Sequence, residues 1–239
     1  MARPPLDLTS SARRAMDRLA SDLQRVLDER FVALVAYSPT RAVAFATRLA
    51  ADDLQALAPL VDRWHHDGLD TPLLLTPDEF RRSFDAFPLE YGAILDRHLV
   101  IAGTAPFDEA RPADADIRRA CEIQAKAFLI HMRQGWLHAA DHHHEQAVML
   151  EQSAAPLRVL LANVARLSHQ DAGATSDNDD ALVAFGETHI GLPAEVLRGV
   201  LALDAHPERA GELVKSPDFM NAYLLSAETL WAFADAWRQ

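Results

Sequence analysis

Apolar residues in this chain follow two regimes. Up to about residue 103, short unbroken apolar runs alternate with stretches of helical spacing; beyond about 113 only helical spacing remains. Ser10 or Ser11 can cap a helix to about Arg30, with Ala15, Leu19, Leu23, Val26 and Leu27 on one side. Phe31 to Tyr37 reads as a strand, Ser38-Pro39-Thr40 as a turn, and Val43 to Leu49 as a second strand closing a hairpin. A helix starting at Asp52 or Asp53 carries Leu54, Leu57, Leu60, Val61 and Trp64, is kinked by Pro59 and closed by Gly68. Leu73–Leu75 is the third strand. The fourth lies either within Leu89–Leu95 or at His98–Ala102.

From about Ala113 to residue 140 the spacing predicts one long helix, apolar through Ile117, Cys121, Phe128, Met132 and Trp136, with Ile123 and Ile130 to one side. So wide an apolar arc predicts burial between neighbours. A second long helix, about 142 to 170, is expected to bend or break at Pro156. Asp171 to Asp180 is nearly free of apolar residues and reads as a flexible loop. Shorter helices follow near 179–188, 193–204 and 207–215, and a last one from Pro217 to Trp237 is capped by Ser216. The expected fold class is α+β. A small mixed sheet with helices on one side occupies residues 1–110, and an all-helical bundle occupies residues 111–239.

Composition narrows the function classes. The net charge is -12, and only Lys126 and Lys215 among the 23 basic residues are lysines. No concentrated basic footprint exists for nucleic acid, so none is expected as a partner. A single cysteine, Cys121, excludes an internal disulfide and a cysteine-based zinc cage. No apolar run reaches membrane-spanning length, and the residues after Met1-Ala2-Arg3-Pro4-Pro5 form no signal-type apolar segment; the expectation is a cytoplasmic protein. Residues 1–9 are expected to be a mobile arm.

The stretch from Thr71 to Ala140 carries a resemblance. Leu73-Leu74-Leu75-Thr76-Pro77-Asp78-Glu79-Phe80, then Phe87-Pro88-Leu89-Glu90-Tyr91, then Gly103 and Pro106-Phe107, then the helix from about Ala113 succeed one another. This order resembles the central part of the nucleotidyltransferase superfamily, of the minimal and antibiotic-modifying type. The resemblance implies a sheet that binds a nucleoside triphosphate, a helical domain behind it, and a cleft between the two. It also implies a Gly-Ser pair after the first strand, an Asp-x-Asp or Asp-x-Glu on the second, and a third carboxylate on a later strand. Clustered carboxylates are what hard divalent cations require.

The chain departs from each of these. Tyr37-Ser38-Pro39 stands at the Gly-Ser position, and neither Ala42–Thr47 nor Leu73–Leu75 contains a carboxylate. The expectation is therefore a catalytically degenerate copy, kept as a binding or interaction protein that uses the cleft between the domains for a nucleotide, another anionic small molecule or a protein. No catalytic residue and no cofactor is assigned. Arg119, Glu122, Lys126 and Arg133, near one face of the long helix, are the candidate ligand-binding residues, with Glu122 and Lys126 also spaced as an ion pair. The alternative is a divergent transferase acting on a small molecule or protein, with Mg²⁺ held by Asp52, Asp53 and Asp70. A third candidate is the histidine run. Were the helix continuous, His131, His138, His142 and Glu145 would share a face as ligands for zinc or nickel; a solvated polar turn is the other reading. Arg133 and His138 also form an Arg-x4-His pair, which resembles the ribonuclease motif of helical toxin domains; surface charges on a helix are the other reading.

Overall fold

The computed structural model describes residues 6–108, 111–139, 142–168 and 178–237. The chain divides into two compact units between Ala113 and Asp114. The expectations for residues 1–5 and for most of the 171–180 loop fall outside the described residues; residues 6–9, expected to belong to a mobile arm, are instead held, with Leu6 buried in the core.

In the first unit a helix, α1 (Ser10–Leu27), precedes the hairpin of β1 (Phe31–Ala36) and β2 (Ala42–Ala46). Two short helices follow, α2 (Ala51–Leu57) and α3 (Val61–His66), joined by a 3-10 turn at Ala58–Leu60 that holds Pro59. Then come β3 (Leu73–Leu75), α4 (Pro77–Arg82), α5 (Pro88–Asp96) and β4 (Leu99–Gly103). The fourth strand thus takes the later of its two expected places, because Pro88 opens a helix instead. The sheet is mixed, in the order β3-β2-β1-β4. β1 is antiparallel to both β2 and β4, and β2 is parallel to β3.

Helices cover both faces of this sheet, not one as the sequence suggested. β1 and β2 are buried at almost every position, which is what unbroken apolar runs mean when both faces are packed. Leu34, Ala36, Ala42 and Ala44 face α1 and Trp64 of α3. Ala33, Val35, Val43 and Phe45 face Phe80, Tyr91 and Ile94. That second layer is aromatic: Phe45 meets Phe80 edge-on at 5.3 Å, and Phe80 stacks on Tyr91 at 4.7 Å. The caps differ in detail from expectation. Thr9, not Ser10 or Ser11, caps α1 through its hydroxyl, and Thr76 with Glu79 makes a reciprocal capping box for α4.

The second unit is helical throughout its described residues: α6 (Asp114–Ala139), α7 (His143–Ser168), α8 (Asp179–Phe185), α9 (Ala194–Leu201), α10 (Ala210–Leu213) and α11 (Pro217–Ala236). α7 runs unbroken through Pro156, where a bend or break was expected. α8 is capped by Asn178 and passes into a π-helical turn, Gly186–Ile190, closed by Gly191 at φ +84°. Arg158 of α7 is largely buried. It bonds to Asp204 at 2.6 Å, to Asp179 and to the Leu201 carbonyl at 2.6 Å, tying α7 to both later segments. α6 packs on α7 and α11 through Ile117, Cys121, Ala125, Phe128, Leu129 and Met132. It is not buried all round. Ile123, Ile130 and Leu137 are exposed, Leu137 at 79%.

Candidate functional site

In the first unit the chemistry a nucleotidyltransferase needs would sit where β1 ends and β2 begins. That place is a closed hairpin turn. The Tyr37 amide donates to the Arg41 carbonyl at 3.0 Å. The Ser38 hydroxyl accepts from the amides of Thr40 at 3.2 Å and Arg41 at 2.9 Å. Amides that could cradle a phosphate are thus taken by the chain's own side chain, and Pro39 has none. Asp70 lies at the same end. Its carboxylate accepts from Arg41 Nε at 3.1 Å and the Thr40 hydroxyl at 3.4 Å. Burial raises the Tyr37 phenol above its ordinary pKa, against the pull of Arg41.

Asp52 and Asp53 follow β2 and lie at the other end of the sheet, about 16 Å away for a five-residue strand. Asp53 is committed there: its Oδ2 accepts from Arg30 at 2.5 Å and from the Ala50 amide at 2.9 Å. The Arg30 bond, then the Ala50 bond, hold its pKa below the usual carboxylate range. Asp52 is exposed. The three carboxylates considered for Mg²⁺ therefore do not converge. Among the described residues no three His, Cys, Asp or Glu side chains gather into a metal-binding group.

The candidate ligand-binding residues all lie on α6, and three have partners within the helical unit. Lys126 Nζ sits 3.5 Å from the centre of the Trp231 ring of α11. Arg133 bonds Glu228 of α11 at 2.6 Å, and Arg119 bonds Asp116 at 2.8 Å. The expected Glu122–Lys126 pair is not made, because the lysine turns to the indole. Arg119, Lys126 and Arg133 are exposed and Glu122 is half-buried.

The histidine run is split by the chain reversal. α6 ends at Ala139 and α7 begins at His143, so a continuous helical face does not exist. His138, His142, His143, His144 and Glu145 are all exposed. Arg133 and His138 diverge by about 140° around α6, since five residues at 100° each separate them; the one turns to α11 and the other to α7.

Sequence reasoning missed a groove of about 840 Å³ between α6 and α7 of the helical unit. Its floor includes Phe128, Met132, Met149 and Leu160, and His131, His138, Glu145, Gln124 and Gln152 add polar groups. Gly135 permits the close approach: a Cβ there would meet Met149 Sδ at 2.6 Å. The signal was present as a second row on α7, Glu145, Val148/Met149, Gln152, Ala155/Pro156 and Val159, at heptad spacing beside the core row. That signal is weak because alanine, proline and glutamine make no apolar stripe of their own.

Comparison with protein-family models, with curated proteins and with solved structures finds no match.

Proposed function

We propose that this chain is a non-catalytic binding or interaction protein built on a nucleotidyltransferase-like frame. One observation carries the reading. At the end of the sheet where a triphosphate would be cradled, the Thr40 and Arg41 amides are bonded to Ser38, and Asp70 is bonded to Arg41. Phosphoryl transfer depends on positioned metal ions and on donors free to meet developing charge. Here the donors are spent within the turn, and the carboxylates lie at opposite sheet ends. The helical unit offers the better binding surface, a concave and largely apolar groove with a few polar groups. A protein partner suits a surface of this kind better than a nucleotide does.

The test is a pyrophosphate-release assay with each of the four nucleoside triphosphates, with Mg²⁺ or Mn²⁺, paired with thermal-shift measurements. The expected result is no metal-dependent release. Release abolished by Asp70→Asn, or by Asp53→Asn, would overturn the proposal in favour of a divergent enzyme.

A further inference from the structure

The α6–α7 groove carries a pattern that is its own complement. The two helices form an antiparallel hairpin, and the residues lining the groove recur on each at alternating steps of three and four. Five layers result over about 21 Å. His138 of α6 lies level with Glu145 of α7. Gly135 lies level with Met149, a pairing fixed by their direct approach. His131 falls level with Gln152, Phe128 with Pro156, and Gln124 with Val159.

Layers one and three are thus polar, layers two and four are apolar, and layer five carries one polar residue, Gln124. The order reads nearly alike from either end, and its centre is the His131–Gln152 layer. A surface palindromic in this way meets itself across a two-fold axis, the condition for an isologous interface. With the axis through the central layer, the Met149 layer of one chain covers the Phe128 layer of the other. Gln124 comes opposite His138, Glu145 lies over Val159 at the rim of the same layer, and Gln152 faces its own copy. Each polar layer then finds donors and acceptors, which a purely apolar occupant would leave unsatisfied. Small residues at the contact, Ala127, Gly135 and Ala155, let helix backbones draw close, and the exposed Val148 and Val159 lose their solvent contact.

Resting on the reading of this chain as an interaction protein, we infer that the occupant of the groove is a second copy of the chain. Two α6–α7 hairpins close into an antiparallel four-helix bundle with His131 and Gln152 at its centre.

Sedimentation equilibrium of the full chain should give a mass twice 26.4 kDa. Gln152→Cys, exposed on α7, should form an intermolecular disulfide under mild oxidation. Glu195→Cys, exposed on α9, should not. Ala155→Arg puts a charge into an apolar layer at an exposed helical position, so folding is spared. It should weaken association at least about a hundredfold, with helical content unchanged by circular dichroism. A chain monomeric up to about 100 µM would overturn the inference, and so would a dimer that survives Ala155→Arg without the Gln152→Cys cross-link. A monomer that takes up an apolar dye in the groove, lost on Ala155→Arg, would assign the site to a small ligand instead. Nucleotidyl transfer by the native chain would sink the functional proposal and leave the association intact, so the two failures are separable.

Discussion

Trp64 donates its indole N–H to the Asp22 carboxylate at 3.0 Å, joining α3 to α1 across 42 residues of chain. Arg63 bonds the same oxygen, and Arg25 bonds the other at 2.9 Å. Asp22 is 5% exposed, so this carboxylate is the polar centre of one face of the first unit. Asp22→Ala removes the acceptor and leaves the indole N–H without its partner. It should cost about 1–3 kcal/mol, the range for leaving one buried donor unsatisfied, because Arg63 and Arg25 are exposed and remain solvated. Asp22→Asn keeps the shape and one acceptor and should cost less. Urea unfolding, followed by Trp64 fluorescence in a background with Trp136, Trp231 and Trp237 replaced by phenylalanine, measures both. A loss under about 1 kcal/mol for the alanine variant would contradict this account.

The same carboxylate sets an acid limit. Burial pushes the Asp22 pKa up, but the bonds from Trp64 and Arg63, helped by the charges of Arg63 and Arg25, outweigh it and hold it below the ordinary carboxylate value. Asp53 and Asp67 are held low as well, chiefly by Arg30 and Arg18. A depressed folded pKa contributes stability that is complete above the unfolded value, about 3.9, and is lost as pH falls through the folded one. The first unit should therefore keep its urea midpoint from pH 7 to about 5 and lose it below about 4. Asp22→Asn should flatten that acid slope. An equal slope in the variant would remove Asp22 as a cause.

Gly103, the last residue of β4, has φ +77°, and a Cβ there would lie 2.0 Å from the Val32 carbonyl oxygen of the adjacent strand. Gly68 has nearly the same φ, +81°, with nothing within 4 Å of such a Cβ. The pair separates two costs. Gly68→Ala should lose about 1 kcal/mol, the strain of a left-handed residue alone. Gly103→Ala should lose at least about 2 kcal/mol more, because backbone atoms in a sheet cannot give way. Equal losses would mean that β4 relaxes.

Much of this was legible in the sequence. Phe31–Tyr37 and Val43–Leu49 announce strands by length and apolar content, and the strands form over Phe31–Ala36 and Ala42–Ala46, the second ending three residues short of the expected run. Two-sided burial was written there too, in the lack of polar alternation along both runs. The contacts of Lys126 could not be foreseen. Its i,i+4 spacing from Glu122 is local, whereas Trp231 arrives from more than a hundred residues away. The groove was hidden for the reverse reason. Gly135, Ala155 and Pro156 line it by what they lack, and absence of side chain carries little signal until two helices are set side by side.

The basic row on α6 can be parsed by substitution. Lys126→Gln loses the contact with Trp231 and should lower stability by about 0.5–1 kcal/mol, as for an exposed cation over an aromatic ring. Lys126→Arg should restore it. Arg133→Gln, at an exposed pair with Glu228, should cost no more than about 1 kcal/mol. If the row also serves an anion, Lys126→Glu should abolish binding of a nucleoside diphosphate probe in calorimetry while unfolding shifts only by this amount. Binding unchanged in Lys126→Glu would assign the row to α11 docking alone.

Cys121 offers a reporter of the helical unit. It is fully buried on α6, and burial pushes its thiol up to about 12, only partly opposed by the positive charge of Arg166. At pH 8 the folded chain then holds about one thiolate in ten thousand, against several per cent or more for an ordinary thiol. Reagents that attack thiolates also need access, and the folded unit gives none. Labelling by an aromatic disulfide should accordingly proceed only through opening, at least about a thousandfold slower than in denaturant. Where reclosing outruns labelling, the rate reads the free energy of opening. Lys126→Gln should then speed labelling by about two- to fivefold, matching its loss of stability, and Lys126→Arg should not. Native labelling as fast as in the denatured chain would mean that α6 does not bury Cys121 in solution.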